Sequence, residues 1–569
     1  MALTVLLLPA RQASAQAPAT MDTEALRRRD ENAEQALRQR QQAPAVRLLP
    51  TPGDGDPDRQ PLPADASCFP IRRIVLALPE RLSGPVREAG QRHLAQGAFQ
   101  QAQAWLDPYQ GQCLGPAAIS ELAARSARRL LAQGYSTTRI MVPEQDLSTG
   151  VLTLNVLPGI IRTIRFAEPG RDAQWRTAFP AAPGNLLNLR ELEQGLEQMK
   201  RVPSQEVDID IMPGEQAGES DVVLRVGRGK PWRLVASLDD GGARSTGKLQ
   251  AGVQLALDGP LGLNDMLSAG LLRDADRAGA ARGTGGGQFA YTVPYGYWDF
   301  SLSASHHAYH QRVAGYNQTF LSSGDARSLE WKVQRLFQRD QAQKNSLQFR
   351  LGKRWSQAYI DDTEIAVQRR QASFAELGWL HRHYLGPSQL DLTLATRWGT
   401  GWFNGQADPP NRPAGAPTLR YTLHTLDASL ATPFRLAGHS ALHNATLRLQ
   451  TSRSPLYLSD QFSIGGRYTV RGFDGESVLA AERGFYLRND VSLPLAGSGH
   501  AVYLGLDAGR VDGPASRQLA GRYLAGATLG LRGTLGSLSH DLFAGWPLKK
   551  PPGFAGSHPV FGFSLSVQY

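Results

Sequence analysis

The chain has 569 residues, of which 41% are hydrophobic and 20% charged, and its formal net charge is +10. This length corresponds to several domains or one very large one, and no window holds the roughly 18–20 consecutive apolar residues that a membrane-spanning helix needs. Two cysteines are too few for a zinc-cluster protein or a disulfide-dense scaffold. The basic residues are spread along the chain rather than clustered, which argues against a nucleic-acid partner.

The first fifteen residues have the pattern of an export signal. A short apolar run at 3–8 is followed by the small residues Ala-Ser-Ala at 13–15, which predicts a signal peptide over 1–15 with cleavage after residue 15. The positive charges that usually precede such a run are missing. The true start therefore lies upstream, or the copy is truncated, or the segment is only a frayed N-terminus.

The next two segments are predicted to be a helix segment at 16–42 and a linker at 43–66. Met21 to Gln42 contain no Gly or Pro and are rich in Ala, Leu, Arg, Glu and Gln, a composition that favours a helix. This helix is polar almost all round, so it cannot dock on a core by an apolar stripe. About 33 Å long, it would fit a water-filled pore as a plug; a solvated, partly frayed helix is the alternative. The six prolines that follow indicate an extended linker that lets the helix reach away from the next domain.

Two consecutive units with the same order of strands and helices follow, at 67–158 and 159–229. The apolar stripe of Pro116 to Leu131 predicts a helix in the first unit, ended by Gly134, and Leu189 to Met199 form its counterpart in the second. Strands are predicted at Ile71–Leu78, Thr137–Val142, Val151–Val156, Ile160–Phe166, Val207–Ile211 and Val222–Val226. The recurrence indicates a tandem repeat of one small α+β domain, whose short sheets have edges that can accept another strand.

Both cysteines, Cys68 and Cys113, lie in the first of these units. If the chain leaves the cytoplasm, they meet an oxidising compartment and can pair. The closed loop would then stabilise the unit by roughly 4 kcal/mol in the chain-entropy model. Two buried free thiols are the alternative.

After Lys230 the helical periodicity ends, and apolar and polar residues alternate in segments that continue to the end of the chain. The last nine residues alternate most regularly: Phe561, Phe563, Leu565, Val567 and Tyr569 are separated by small or polar residues. A soluble β-sandwich shows the same pattern, but here the polar face includes Arg and Asp, as a water-filled lumen allows. We therefore predict a transmembrane β-barrel over 230–569, with about 16 antiparallel strands at roughly 21 residues per strand and connection.

Catalytic motifs and zinc-ligand spacings are not found in the sequence. His306, His307 and His310 could coordinate a metal, but an extracellular or periplasmic turn is the favoured interpretation. The run Gly283 to Gly287 is interpreted as a flexible loop, because neither a lysine nor a strand–helix context makes it a phosphate-binding loop. We therefore expect no enzymatic activity, no cofactor and no metal site.

One segment carries a family signature. Val470, Arg471, Gly472 and Phe473 stand in a glycine-rich stretch over 465–475. Together with the tandem units and the barrel pattern, they resemble the two-partner secretion transporters, the outer-membrane TpsB proteins of the Omp85 superfamily that export haemolysins, filamentous haemagglutinin and contact-dependent inhibition proteins. Further segments resemble the family's first POTRA domain, its first barrel strand and the strands after its long loop: Cys68 to Ile71, Cys113-Leu114, Gly134 to Arg139, Pro143 to Gly150, Ser245 to Gly247, Arg483 to Asp490 and Gly505 to Gly509.

The resemblance implies two periplasmic POTRA domains, at 67–158 and 159–229, and a loop near 460–483 that folds back into the barrel lumen. Arg471 of this loop would pair with an acidic residue on the inner wall. Asp507 is the candidate, because it falls on the polar set of its strand.

Leu504 and Leu506 of the same strand would face lipid. A bidentate arginine–carboxylate contact has fixed geometry, whereas its energy in a wet lumen would be small, so its role would be positional. The alternative is that Arg471 lies in a surface turn while Asp507 pairs with Arg510 or Arg532.

The implied function is ATP-independent export of a TpsA-type partner exoprotein. The exoprotein would reach the periplasm unfolded, dock on the POTRA domains by strand addition, thread the barrel and fold outside. We expect a monomeric barrel in the lipid of the bacterial outer membrane. The alternatives are an Omp85-type assembly insertase, an autotransporter and an outer-membrane enzyme. The sequence does not identify the cargo.

Overall fold

The structure is a computed structural model that describes residues 46, 48, 61–168, 174–276, 278–556 and 558–569. The predicted signal peptide, the predicted plug helix and most of the predicted linker therefore lie outside the described residues. Two small α+β units and a barrel follow one another from residue 61 onward. In this part of the chain, none of the helices is long and apolar enough to cross a membrane.

The first unit packs three helices against a small mixed sheet. Its elements are β1 (Phe69–Ile71), β2 (Arg73–Ala77), α1 (Gly84–Ala95), α2 (Ala98–Leu106), β3 (Gln112–Leu114), α3 (Pro116–Ala132), β4 (Arg139–Met141) and β5 (Val151–Leu157). The sheet order is β2-β5-β4, with β2 parallel to β5, and β1 pairs with β3 in a separate ribbon. The apolar stripe of α3 buries Ile119 and Leu122 in one core with Leu152 and Leu154. Gly134 follows α3 at φ 103°, the left-handed conformation that commonly ends a helix.

The second unit repeats this plan with fewer elements. It contains β6 (Ile160–Phe166), α4 (Leu189–Lys200), β7 (Gln205–Pro213) and β8 (Glu219–Arg228). The sheet order is β6-β8-β7, with β6 parallel to β8. The Asn188 side chain accepts a hydrogen bond from the backbone N–H of Arg190 and so begins α4. Leu192, Leu196 and Met199 pack α4 onto the sheet.

Sixteen long strands of the described chain close a barrel, so the predicted fold class is confirmed. The strands of the barrel and of its long loop are β9 (Trp232–Asp239), β10 (Gln250–Asp258), β11 (Met266–Asp274), β12 (Arg282–Tyr295), β13 (Trp298–Ala314), β14 (Thr319–Arg339), β15 (Gln343–Ile360), the short β16 (Thr363–Glu364), β17 (Arg370–Leu385), β18 (Ser388–Thr400), β19 (Thr422–Leu436), β20 (His439–Ser452), the loop strands β21 (Phe462–Ile464) and β22 (Leu479–Ala481), β23 (Arg483–Leu495), β24 (His500–Asp512), β25 (Tyr523–Leu535), β26 (Leu538–Lys549) and β27 (Val560–Gln568). Neighbouring strands are antiparallel, and β27 pairs with β9 to close the seam.

Two interpretations of the barrel sequence are wrong. The glycine run at 283–287 is part of β12 rather than a flexible loop, and the histidines at 306, 307 and 310 lie within β13 rather than in a turn. The two errors have one cause, because glycines and histidines face each other across the two strands. A Cβ atom on Gly286 would lie 2.3 Å from His307 Nδ1, so the glycines make room for imidazole rings. In the described part of the chain, no three His, Cys, Asp or Glu side chains are arranged to hold a metal ion.

Candidate functional site

The connection between β20 and β23, residues 453–482, is folded into the barrel. The hairpin of β21 and β22 supports its base, and the segment 465–475 forms its tip. Val470 and Phe473 are buried at 0% and 2% exposure in a cluster with Leu524 on β25. The Phe473 ring also meets Phe554 edge-on, with 5.6 Å between the centroids. These apolar contacts hold the tip against the inner wall.

Arg471 at the tip makes a bidentate ion pair with Asp507 of β24. Arg471 Nε lies 2.7 Å from Asp507 Oδ2, and Nη2 lies 2.7 Å from Oδ1. The backbone N–H of Arg471 donates to the same carboxylate over 2.9 Å. Arg471 Nη2 is also 2.7 Å from Asp490 Oδ1 on the adjacent strand β23. The structure thus places Arg471 between two wall carboxylates.

The Arg471–Asp507 pair is buried, which corrects the expectation of a wet, energetically minor contact. The side chains are 5% and 0% exposed, respectively. Removing one partner from a buried ion pair leaves an uncompensated charge and typically costs about 3–5 kcal/mol. Loss of either partner is therefore expected to destabilise the seated loop as well as to misplace it.

Glycines on three wall strands let the loop tip approach the barrel wall. A Cβ atom on Gly526 of β25 would lie 1.7 Å from the carbonyl oxygen of Arg471, and one on Gly545 of β26 would lie 2.9 Å from the nitrogen of Gly472. Gly505 on β24 leaves room for the guanidinium, because its Cβ would lie 2.5 Å from Arg471 Nη2. Sequence reasoning missed these glycines. A signal was present, since Gly505 lies two residues before Asp507 on the same face of its strand.

A second arginine of the loop contacts the barrel seam. Arg467 Nη1 donates to Asp240 Oδ1 over 2.9 Å, and Arg467 Nη2 donates to the carbonyl oxygen of Phe563 over 3.3 Å. Asp240 directly follows β9 and accepts the backbone N–H of Phe563 in β27 over 2.8 Å. Arg467, which the sequence analysis did not single out, thus bridges the first and last strands of the barrel.

Ion pairs at the turn between β14 and β15 help to join the second α+β unit to the barrel. Glu197 of α4 lies 2.7 Å from Arg339 Nη1 and 2.6 Å from Lys344 Nζ, on the two sides of the turn between β14 and β15, and Arg339 also reaches Glu193 at 3.3 Å. Burial would raise the pKa of Glu197, but the hydrogen bond from Arg339 and the charge of Lys344 hold it below its usual value. Glu191 on the same helix is different, because burial raises its pKa to about 7.

The same carboxylates bind two residues of the predicted linker. The backbone N–H of Val46 donates to Glu197 over 2.9 Å, and that of Leu48 donates to Glu193 over 2.8 Å. Arg339 Nη2 donates to the carbonyl oxygen of Val46 over 3.0 Å. Both side chains pack against the core of the second unit. At this point the linker is anchored where the second unit meets the barrel.

The two small sheets differ in the edges that they leave open. The side-chain amide of Gln103 covers the outer edge of β2, since it donates to the Ile74 carbonyl over 2.9 Å and accepts the Leu76 N–H over 2.8 Å. The Gln145 amide pairs in the same way with the backbone of Thr153 on β5. Amide side chains thus cover the outer edge of β2 and the part of β5 beyond its pairing with β4, and the other edge of this sheet is the three-residue strand β4.

The edge of β7 in the second unit is open by comparison. Two backbone hydrogen bonds flank the β7–β8 pair: the N–H of Gly229 donates to the Ser204 carbonyl, and the N–H of Gly214 donates to the Glu219 carbonyl. They set the alternation of the ladder, so the even-numbered residues of β7 bond to β8 through their N–H and C=O groups. The N–H and C=O groups of Val207, Ile209 and Ile211 then point away from β8. These groups have no further main-chain partner among the described residues. The edge of β6, in contrast, pairs over part of its length with residues 184–186.

A disulfide joins Cys68 and Cys113 across the β1–β3 ribbon, with a sequence separation of 45. Replacing both residues by serine is expected to destabilise the first unit by about 4 kcal/mol, because the unfolded chain regains the entropy of the open loop. Limited proteolysis of the membrane-inserted protein should then cleave the first unit faster in the variant than in the wild type. Dithiothreitol should raise the cleavage rate of the wild type to that of the variant and leave the rate of the variant unchanged. Equal cleavage of both proteins would contradict the prediction, with heat-modifiable gel mobility as the control for an intact barrel.

Comparisons with known proteins agree with this architecture. The family described as haemolysin secretion/activation protein ShlB/FhaC/HecB matches residues 218–533, a ShlB-type POTRA domain matches 89–159, and a POTRA domain matches 160–213. The outer membrane transporter CdiB-2 of Burkholderia pseudomallei (strain 1026b) is 42% identical over 563 residues, which cover 98% of this chain and 95% of that protein. The hemolysin transporter protein ShlB of Serratia marcescens is 29% identical, over 90% of this chain and 87% of its own length.

Solved structures show the same fold over almost the whole chain. CdiB from Acinetobacter baumannii superposes with a TM-score of 0.84 at 27% identity, over 97% of this chain and 99% of that one. CdiB from Escherichia coli gives a TM-score of 0.81 at 25% identity, with the same coverage.

Proposed function

The chain belongs to the ShlB/FhaC/HecB family of haemolysin secretion/activation proteins, and from this premise we propose how its parts carry out export. It is a two-partner secretion transporter of the outer membrane, with its POTRA domains in the periplasm and a TpsA-type exoprotein as its partner. The predicted family and function are thereby confirmed. We propose that Arg471 and Asp507, with Val470, Gly472 and Phe473, hold the long loop in the conformation that permits export. The buried bidentate pair carries this proposal.

We propose that the second POTRA domain receives the exoprotein on the edge of β7. Strand addition needs a row of free N–H and C=O groups, and pockets for alternate side chains give it specificity. Ile209 and Ile211 supply accessible free groups, since Val207 is 0% exposed, while Gln103 blocks the equivalent groups of β2. Met212, at the end of the edge, is 49% exposed and offers an apolar contact.

Photo-cross-linking in cells that secrete the cognate exoprotein tests this docking site. A photoreactive amino acid at Asp208 or Met212 is expected to cross-link to the N-terminal secretion domain of the exoprotein. The same probe at Arg73, an exposed residue of the covered strand β2, is the matched control and should not react. Cross-links at Arg73 but not on β7 would assign docking to the first domain. Normal assembly of other outer-membrane proteins after deletion of the gene is the control against an insertase.

We also propose that the helix predicted at Met21 to Gln42 plugs the resting pore of a monomeric barrel. Val46 and Leu48 follow this helix and are anchored to Glu197 and Glu193 at the periplasmic end of the barrel. An anchor at that position keeps the preceding residues within reach of the pore. The exoprotein would therefore dock on the same α+β unit that binds Val46 and Leu48, so docking could release these residues and with them the plug helix.

A further inference from the structure

The outward face of the barrel carries a cluster of cations and aromatic rings at the surface-exposed end of three neighbouring strands. The turn before β15 contacts the periplasmic unit through Lys344, so the opposite end of β15 faces the cell exterior. Lys353 lies ten residues beyond the start of this strand. The outward residues that precede it, Leu347, Phe349 and Leu351, are apolar, so Lys353 is the first charged residue beyond the lipid-facing stretch of this strand.

The side chains of this cluster are on the lipid side of the wall. The Phe374 ring packs against Arg354 and Arg397 in the lumen, so Ser373 and the residue paired with it, Lys353, face outward. Leu329 pairs with Lys353 from the other side and is 46% exposed, as expected for a lipid contact.

Aromatic and cationic groups surround Lys353. Its ammonium lies 5.1 Å from the centroid of the Trp355 ring. Trp355 pairs in register with Arg327, whose side chain is 63% exposed and 3.4 Å from Asp325. The third cation is the exposed Arg420, which donates to the Thr400 carbonyl over 2.7 Å. Thr400 pairs in register with Ser373, the residue that pairs with Lys353.

A strained turn adds two aromatic side chains to the cluster. Phe403 and Asn404 have φ angles of 54° and 59°, a left-handed conformation that is unfavourable for phenylalanine. Lys353 Nζ donates to the carbonyl oxygens of both residues, and the N–H of Gln406 donates to the Gln371 carbonyl over 2.8 Å. The turn is thereby fixed on the outward face with Trp402 53% and Phe403 62% exposed. A strained turn that specific contacts maintain is a candidate for a functional role.

We propose that this cluster binds a phosphorylated glycolipid of the outer leaflet. Its acyl chains would lie along the Leu329 side of the wall, Trp402 and Phe403 would sit at the bilayer interface where aromatic girdles occur, and Lys353, Arg327 and Arg420 would hold its phosphates. Charge complementarity selects the ligand, because three cations on one stretch of the outer wall suit a bisphosphorylated headgroup, and Asp325 offsets only part of their charge. The position on the outer wall separates this site from the exoprotein path through the lumen.

Lipid titration of the purified full-length protein, followed by native mass spectrometry, tests the proposal. Bisphosphorylated lipid A is expected to bind more tightly than its monophosphorylated form, and phosphatidylcholine should bind weakly. Neutralising one cation should weaken lipid A binding about fivefold, so Lys353→Gln and Arg420→Gln should each show this loss and their combination about 25-fold. Arg435→Gln, at an exposed cation near the opposite end of the barrel, is the matched control.

Three results would overturn the proposal. The first is an unchanged affinity for lipid A in the Lys353→Gln, Arg420→Gln double variant, provided that its heat-modifiable mobility is intact. The second is an equal affinity of the wild type for lipid A and phosphatidylcholine. The third is displacement of lipid A by inorganic phosphate at the same concentration as the lipid. The Trp402→Ala, Phe403→Ala double variant separates lipid binding from simple charge attraction, because it retains every cation. It should weaken lipid A binding while exoprotein secretion under the same conditions continues.

Discussion

Replacing Arg471 by alanine is expected to reduce exoprotein secretion strongly while the barrel still inserts. The substitution removes the guanidinium that pairs with Asp507, whose side chain is 0% exposed, and with the neighbouring Asp490. A buried charge that loses its partner costs about 3–5 kcal/mol, which is more than a hundredfold shift away from the seated loop. Secretion of the cognate exoprotein into the medium should fall by more than about tenfold, while heat-modifiable mobility reports an intact barrel.

Conservative variants separate charge from geometry at this position. Arg471→Lys keeps the charge but not the two-pronged geometry, so it should secrete at an intermediate level. Asp507→Asn should impair secretion because it removes the carboxylate that accepts three hydrogen bonds from Arg471. Wild-type secretion by Arg471→Ala would show that the pair has no role in export. Failure of the barrel to insert would instead assign the residue a role in assembly.

Adding one methyl group at Gly526 is expected to reproduce much of this defect without removing any charge. The new Cβ would lie 1.7 Å from the carbonyl oxygen of Arg471, so the loop tip must move. Overpacking of this kind costs about 1–3 kcal/mol, and here the displacement also separates Arg471 from Asp507. Secretion by Gly526→Ala should therefore fall about five- to a hundredfold. Gly526 lies at a β-bulge of β25, where the strand departs from regular pairing with β26.

Gly378→Ala on β17 is the matched control for this substitution. It also adds a methyl group to a barrel-strand glycine, but the nearest atom lies 3.6 Å from the new Cβ, which is an ordinary contact. The control should secrete at the wild-type level. If both variants lose secretion equally, the defect comes from the strand rather than from the loop. If neither does, the close approach at Gly526 is not needed for export.

Much of the fold follows from local sequence pattern. The apolar stripes of Pro116 to Leu131 and Leu189 to Met199 define helices that the structure places within one residue of those bounds. Alternation over residues 561–569 located β27, since a strand with one wet and one apolar face has this period. The glycine run at 283–287 misled the same reasoning, because the cross-strand histidines that need its space lie more than twenty residues away in the chain.

The sequence by itself determined the family, the order of the two α+β units and the barrel, and the residues of the loop tip. Periodicity and short motifs are local properties that can be read without coordinates. Only the tertiary structure decided that the Arg471–Asp507 pair is dry, that Gly526 and Gly545 receive the loop, and that Gln103 covers one sheet edge while β7 stays open. Burial and close approach depend on residues far apart in the chain, so no local pattern encodes them.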